Sequence, residues 1–133
     1  MENRGVLADT SIIIEHLRKR EKKNTYLYRL AKSENLYISS ISLFELYCGA
    51  NTSQKIEDIS IVTENLTVVA FDDTSAKYAG IIYRDLKSKN KLIDIKDLLI
   101  ASCAVANSLS IATLNKKDFE RVEGLIILSN YSS

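Results

Sequence analysis

Asp9, Glu45, Asp97 and Asp118 are the residues of this chain whose type and placement could do chemistry. They lie far apart, yet each falls where an expected strand ends or just inside the helix that follows. In a sheet of parallel strands such positions converge on one edge, so the spacing predicts a carboxylate cluster able to hold a hard divalent cation, a hydrolase-like site. Each acid also has an ordinary explanation. Asp9 directly precedes Thr10-Ser11 and could cap a helix. Asp97 opens an apolar helix, where a first-turn acid suits the helix dipole, and Asp94 could share its face or be the true cap. Asn115 and Asp118 stand three apart at a helix start, close to a capping-box spacing. Glu45 sits between Phe44 and Leu46 in a mostly apolar helix, where an unpaired buried carboxylate is costly; it must face solvent on a polar stripe or be held by a cation. Jointly the four say more, because ordinary caps would also be found at the opposite sheet edge.

Positioning these acids requires alternating strands and helices. Val6 to Ala8 is a short apolar strand running into a helix with Ile12, Ile13, Ile14, His16 and Leu17. A helical stretch over 26–32 precedes the strand Leu36-Tyr37-Ile38-Ser39. The next helix starts near Ser40 or Ser42 and stops at Gly49. Another, over 53–64, leads to the clearest strand signal, residues 66–71, read as central. A long amphipathic helix over 75–87 follows, then 96–108, apolar on nearly all sides as in a helix packed between other elements. Residues 111–114 form the fourth strand and 125–128 a short fifth. Strands separated by helices of this length imply right-handed crossovers and a parallel sheet covered on both faces, so the fold class is α/β with four to five strands.

The chain has 133 residues, 46% of them hydrophobic, which suits one domain with a single core over 1–133. No repeat or linker breaks it. A net charge of +1 neither demands nor excludes a nucleic-acid partner. Basic runs at 18–23 and 87–91, and Lys116-Lys117 beside the last acid, read first as solvated helix ends. Cys48 and Cys103 lie in apolar helical stretches without a CxxC pair and read as reduced core residues of a cytosolic, cytoplasmic protein. No run of about 18 apolar residues signals a membrane span, and no basic-then-apolar start signals export.

Four segments, in order and over nearly the whole chain, carry a resemblance: Val6-Leu7-Ala8-Asp9-Thr10-Ser11, the stretch from Ser42 to Ala50 around Glu45, Asp97-Leu98-Leu99-Ile100-Ala101, and Thr113-Leu114-Asn115-Lys116-Lys117-Asp118-Phe119. Together they resemble the PIN-domain ribonucleases, and most closely the VapC-type toxins of prokaryotic toxin–antitoxin pairs. The resemblance implies a three-layer α/β/α sandwich, a magnesium- or manganese-dependent endoribonuclease acting on RNA, a homodimer and a small antitoxin partner. By position it makes Asp9, Glu45 and Asp97 the acidic metal-site residues, with Thr113, Asn115 and Asp118 completing the site. Position 115, often aspartate in such sequences, is asparagine here, which leaves the fourth acidic role between Asn115 and Asp118. The segment before Asp97 lacks a glycine often found there.

The chemistry also stands without the name. Mg2+ takes oxygen ligands and keeps several waters, so two or three carboxylates plus a substrate phosphate suffice. One ion lowers the pKa of a bound water and a second could stabilise the leaving oxygen. His16, on a face with Ile12 and Ile13, reads as a surface or packing residue rather than a general base. Tyr26, Leu27, Tyr28 and Leu30, an apolar-aromatic set in an otherwise polar helix, read first as core; the resemblance implies instead a groove for an antitoxin helix on this side of the molecule, lined also by Leu46 and Tyr47. Two rivals remain: a silent PIN-like scaffold that binds RNA or protein without cutting, and a phosphoacceptor domain built on Asp72-Asp73.

Overall fold

The structure, a computed structural model, describes residues 5–128. Strand β1 (Val6–Ala8) is buried along its whole length and pairs in parallel with β2 (Leu36–Ser39) on one side and β4 (Ser110–Ala112) on the other. With β3 (Thr67–Val69) beside β2, the order is β3-β2-β1-β4. Side chains alternate across a strand, and β1 shows the consequence. Leu7 packs with Ala79, Ile82, Leu98, Ile100 and Phe119, whereas Val6 and Ala8 pack on the opposite face with Ile12, Ile13, Leu27, Leu46 and Ile59. The first core belongs to α5 (Asp73–Ser88), α6 (Ile95–Ala106) and α7 (Lys116–Phe119), and the second to α1 (Thr10–Arg18), α2 (Tyr26–Ala31), α3 (Ser40–Cys48) and α4 (Ser53–Thr63). The result is a three-layer α/β/α sandwich around a parallel sheet, as the resemblance implied.

Gly5 lets β1 start against β2. A Cβ there would lie 2.6 Å from the Asn35 carbonyl oxygen and 2.7 Å from Tyr37 Cε1. Helix starts follow the expected chemistry: Thr25, Ser39, Thr52, Asp72 and Asp94 each accept a backbone N–H at a helix N-terminus. Among the described residues, no helix is long and apolar enough to cross a membrane.

Several expectations are corrected, among them that every acid follows a strand: Asp97 lies in α6, which follows α5 directly. Strand β3 covers only Thr67–Val69 and lies at the sheet edge, with Thr67 and Val68 exposed. Its ladder pairs with Tyr37, Ile38 and Ser39, after which the partner chain turns into α3 and offers nothing further to pair with. Asp72 therefore follows an edge strand, where it caps α5 through Ser75, and the phosphoacceptor reading loses its central acid. Residues 125–128 make one isolated parallel bridge, Ile111 to Ile127, rather than a strand, and β4 ends at Ala112, so Thr113 and Leu114 have left the sheet. Helix α6 runs from Ile95 to Ala106 and not to Ser108. Cys103 is buried, but Cys48, at the last turn of α3, is exposed.

Candidate active site

From β1 the chain moves outward through β2 and β3, then returns to place β4 on the other side of β1. The crevice beyond the carboxyl ends of β1 and β4 is thus a topological switch point, where open parallel sheets bind ligands. Asp9 leaves β1 at that point, its N–H donating to the Ala112 carbonyl at 3.1 Å. The residue is 3% exposed. Ser11 Oγ donates to Oδ1 at 2.6 Å, Thr113 Oγ1 to Oδ2 at 2.5 Å, and the Ile12 N–H reaches Oδ1 at 3.3 Å. Leu114 N–H donates to Ser11 Oγ at 3.0 Å, so the turn after β4 is tied to the start of α1. Burial pushes the Asp9 pKa up, and the hydroxyl and N–H donors oppose that shift. Asp9 is both a cap and a pinned, buried carboxylate.

Glu45 comes from α3, whose start is set by the buried cap Ser39 accepting the Ser42 N–H at 3.1 Å. Glu45 is half-buried; Thr10 Oγ1 lies 2.6 Å from Oε1, and Lys96 Nζ lies 3.9 Å from Oε2. The carboxylate therefore faces partners and not open solvent.

Asp97 stands in the first turn of α6. Asp94 is the cap there, accepting the Lys96 N–H at 2.9 Å, so Asp97 is free of that duty. Its pKa is pushed up to about 6, first by burial and then by the negative charges of Asp9, Asp94, Glu45 and Asp118. Repulsion of this kind requires the four acids of the sequence reading to share one region. Asn115 precedes α7 without capping it through its side chain. Its Nδ2 instead donates to Asp118 Oδ2 at 3.0 Å and approaches Asp97 Oδ2 at 3.5 Å, while its N–H donates to Thr113 Oγ1 at 2.8 Å. The capping-box expectation gives way to an amide bridging two carboxylates.

The residues expected from sequence, Asp9, Glu45, Asp97, Asp118, Thr113 and Asn115, are thus joined by hydrogen bonds or by mutual repulsion. Sequence reading missed the parts of Thr10, Ser11 and Lys96. The two hydroxyls were legible only as helix-start residues, and Lys96 as one more surface cation. Among the described residues, no three His, Cys, Asp or Glu side chains converge tightly enough to enclose an ion. The donor set still fits Mg2+ or Mn2+: all candidate ligands are oxygens, their mutual repulsion calls for a cation, and Mg2+ keeps its waters and needs few carboxylates.

A cavity of about 350 Å³ opens beside Glu45 between α1, α3 and α4, and the other three acids do not line it. Ile14, Leu17, Leu46, Ala50 and Ile59 supply its apolar lining, and Arg18, Glu45, Lys55 and Asp58 its polar one. The expected groove residues divide. Leu46 lines it, whereas Leu27 and Leu30 are 6% and 2% exposed and belong to the core behind α1. His16 packs as expected, its Nδ1 2.7 Å from Thr25 Oγ1, with burial lowering its pKa.

Comparison with known proteins agrees with this geometry. The PIN domain model matches residues 6–125. Ribonuclease VapC3 of Methanocaldococcus jannaschii is 45% identical over 94 residues, spanning 71% of this chain and 92% of the relative. Ribonuclease VapC2 of Rickettsia felis is 33% identical over 126 residues, spanning 91% and 94%. Among solved structures, VapBC2 from Rickettsia felis bound to a DNA fragment from its promoter superposes with a TM-score of 0.83 at 30% identity, covering 92% of this chain and 96% of that one. The chain belongs to the PIN-domain family.

Proposed function

We propose that this chain is an endoribonuclease dependent on Mg2+ or Mn2+ and the toxin of a VapBC-type toxin–antitoxin pair. The observation that carries the reading is the convergence of Asp97 with Asp9, Glu45 and Asp118 at the switch point, where burial first and the neighbouring negative charges after it push Asp97 up to about 6. Two relatives named as VapC ribonucleases and a VapBC complex of the same fold support it.

In this reading Asp9, Glu45 and Asp97 hold the cation, with Asp118 as the fourth acid. Once bound, the ion supplies charge neutralisation at the scissile phosphate and a lowered pKa for the attacking water. The protein's part is positioning. Ser11 and Thr113 fix both oxygens of Asp9, and Asn115 fixes Asp118 from the same turn. Lys96, beside Glu45, and Lys116-Lys117, before Asp118, place positive charge where an RNA backbone must pass. The apolar cavity beside Glu45 suits an amphipathic segment of the antitoxin. We further assign residues 1–133 to one PIN domain acting as a homodimer in the cytoplasm.

The test is cleavage of total RNA by purified protein with Mg2+, with Mn2+ or with chelator. Wild type should cut only with metal, and Asp9→Asn and Asp97→Asn should not cut while remaining folded. RNA bound but uncut under every condition would establish the silent scaffold instead.

A further inference from the structure

Thr10 is the first residue of α1, directly after Asp9, and its single hydroxyl meets two groups of α3. Oγ1 lies 2.6 Å from Glu45 Oε1 and 2.9 Å from Ser42 Oγ. An ionised carboxylate only accepts, and a hydroxyl has one proton to give. The Thr10 proton therefore goes to Glu45, and Ser42, fully buried, donates its own to Thr10. Ser42 and Glu45 stand three apart on one face of α3, so a single side chain from α1 reaches both. Hydrogen bonds in such a chain polarise one another, and a bond ending on a charge is shorter and stronger than a neutral one. Threonine is branched at Cβ, which limits the directions its hydroxyl can take. Neighbouring hydroxyls thus serve different acids: Ser11 holds Asp9, and Thr10 holds Glu45.

We propose that Thr10 is a positioning residue of the metal site, whose hydroxyl, supplied by Ser42, orients the Glu45 carboxylate toward the cation held with Asp9 and Asp97. The inference rests on the metal-site reading above. Its rival is purely structural, a tie between α1 and α3 with no bearing on the ion.

The experiment is calorimetric titration of the full chain with Mn2+, alongside RNA cleavage as a function of Mn2+ concentration. Thr10→Val keeps the shape and removes the hydroxyl. It should weaken Mn2+ binding by about 10- to 100-fold, as loss of a partner behind a metal ligand does. Cleavage should recover at saturating Mn2+ with the KM for RNA unchanged. Thr10→Ser should restore most of the affinity. In a Glu45→Gln background, Thr10→Val should cost nothing further, because the carboxylate ligand that Thr10 orients is already gone. Should Thr10→Val fail to fold, Ser42→Ala carries the same test, with a smaller loss of affinity expected in the wild-type background and none in Glu45→Gln. Unchanged Mn2+ affinity, or an equal loss with and without the Glu45 carboxylate, would overturn the inference and leave the structural tie. A wild type that binds no Mn2+ would overturn the metal site itself and this inference with it.

Discussion

Asp97 has a folded pKa of about 6 against an ordinary 3.8, so between those values the metal-free folded chain holds a proton that the unfolded chain has released. The stabilisation from that proton is present below the lower value and lost as pH rises through the upper one. Asp9 shifts in the same direction. Asp72 is lowered by its bonds to Ser75 and acts oppositely, losing stability as pH falls. Comparison with a variant isolates Asp97. In chelator, the melting temperature of Asp97→Asn should exceed that of wild type by a margin that widens from about pH 4 to about pH 6, the two pKa limits. Millimolar Mg2+ should raise wild type and leave the variant nearly unmoved. A variant less stable than wild type in chelator, with no metal response in either, would make Asp97 an ordinary first-turn acid. Asn115 permits a second prediction. Its amide donates to Asp118 and approaches Asp97, so Asn115→Asp exchanges a donor for another negative charge. The variant should melt lower than wild type in chelator and gain more from Mn2+. An equal gain would place position 115 outside the reach of the ion.

Short elements carry the site, and their anchoring is measurable. Helix α7 has four residues, and Phe119, fully buried against β1 and α6, holds it down. Phe119→Ala should cost about 3–5 kcal/mol in denaturant unfolding and loosen Asp118 with it. Asp72→Asn, which weakens only the cap of α5, should lower stability and leave cleavage as it was, the converse of Asp97→Asn. Sequence revealed those elements whose pattern and pairing agree. Residues 6–8 and 36–39 are strands with those bounds, because an apolar β-branched run lies between partners on both sides. Residues 66–71 carry the strongest strand pattern, yet only Thr67–Val69 pair and they form the most exposed strand, since pattern records what a segment can do and β2 decides how much of it is paired. Leu27 and Leu30 show the same limit in helices: spacing identifies the apolar face of α2 without telling a core from a groove. At Asn115 the three-residue spacing was correctly noticed, but it does not say whether the amide turns to its own helix or to Asp97. Asp9 was legible because a carboxylate at a strand's carboxyl end needs only topology to place it, whereas Asp97 follows α5 and not a strand, and the packing of α6 brings it to the same region. Thr10 was not legible, because its partner lies 35 positions away.

For the whole molecule, the groove between α1, α3 and α4 is where an antitoxin segment should lodge. Ala50→Arg, on its wall, should prevent formation of the neutralised complex, measured by size exclusion with the cognate antitoxin, while RNA cleavage by the free protein persists. A variant still fully neutralised would put the antitoxin elsewhere. The order in which the chain is made gives this arrangement a meaning in time. Asp9 and Thr113, which close the active site, are 104 positions apart, and β4 must lie beside β1 before they meet. Long-range pairing of this kind comes late in folding, and a nascent chain leaves the ribosome N-terminus first. The groove, by contrast, is lined entirely by residues from Ile14 to Ile59. A chain interrupted before β4 carries three of the acids but not the turn that pins Asp9. The residues of the groove proposed for the antitoxin have thus emerged from the ribosome well before the cutting edge is whole, so a partner lodging there would have the first opportunity to engage.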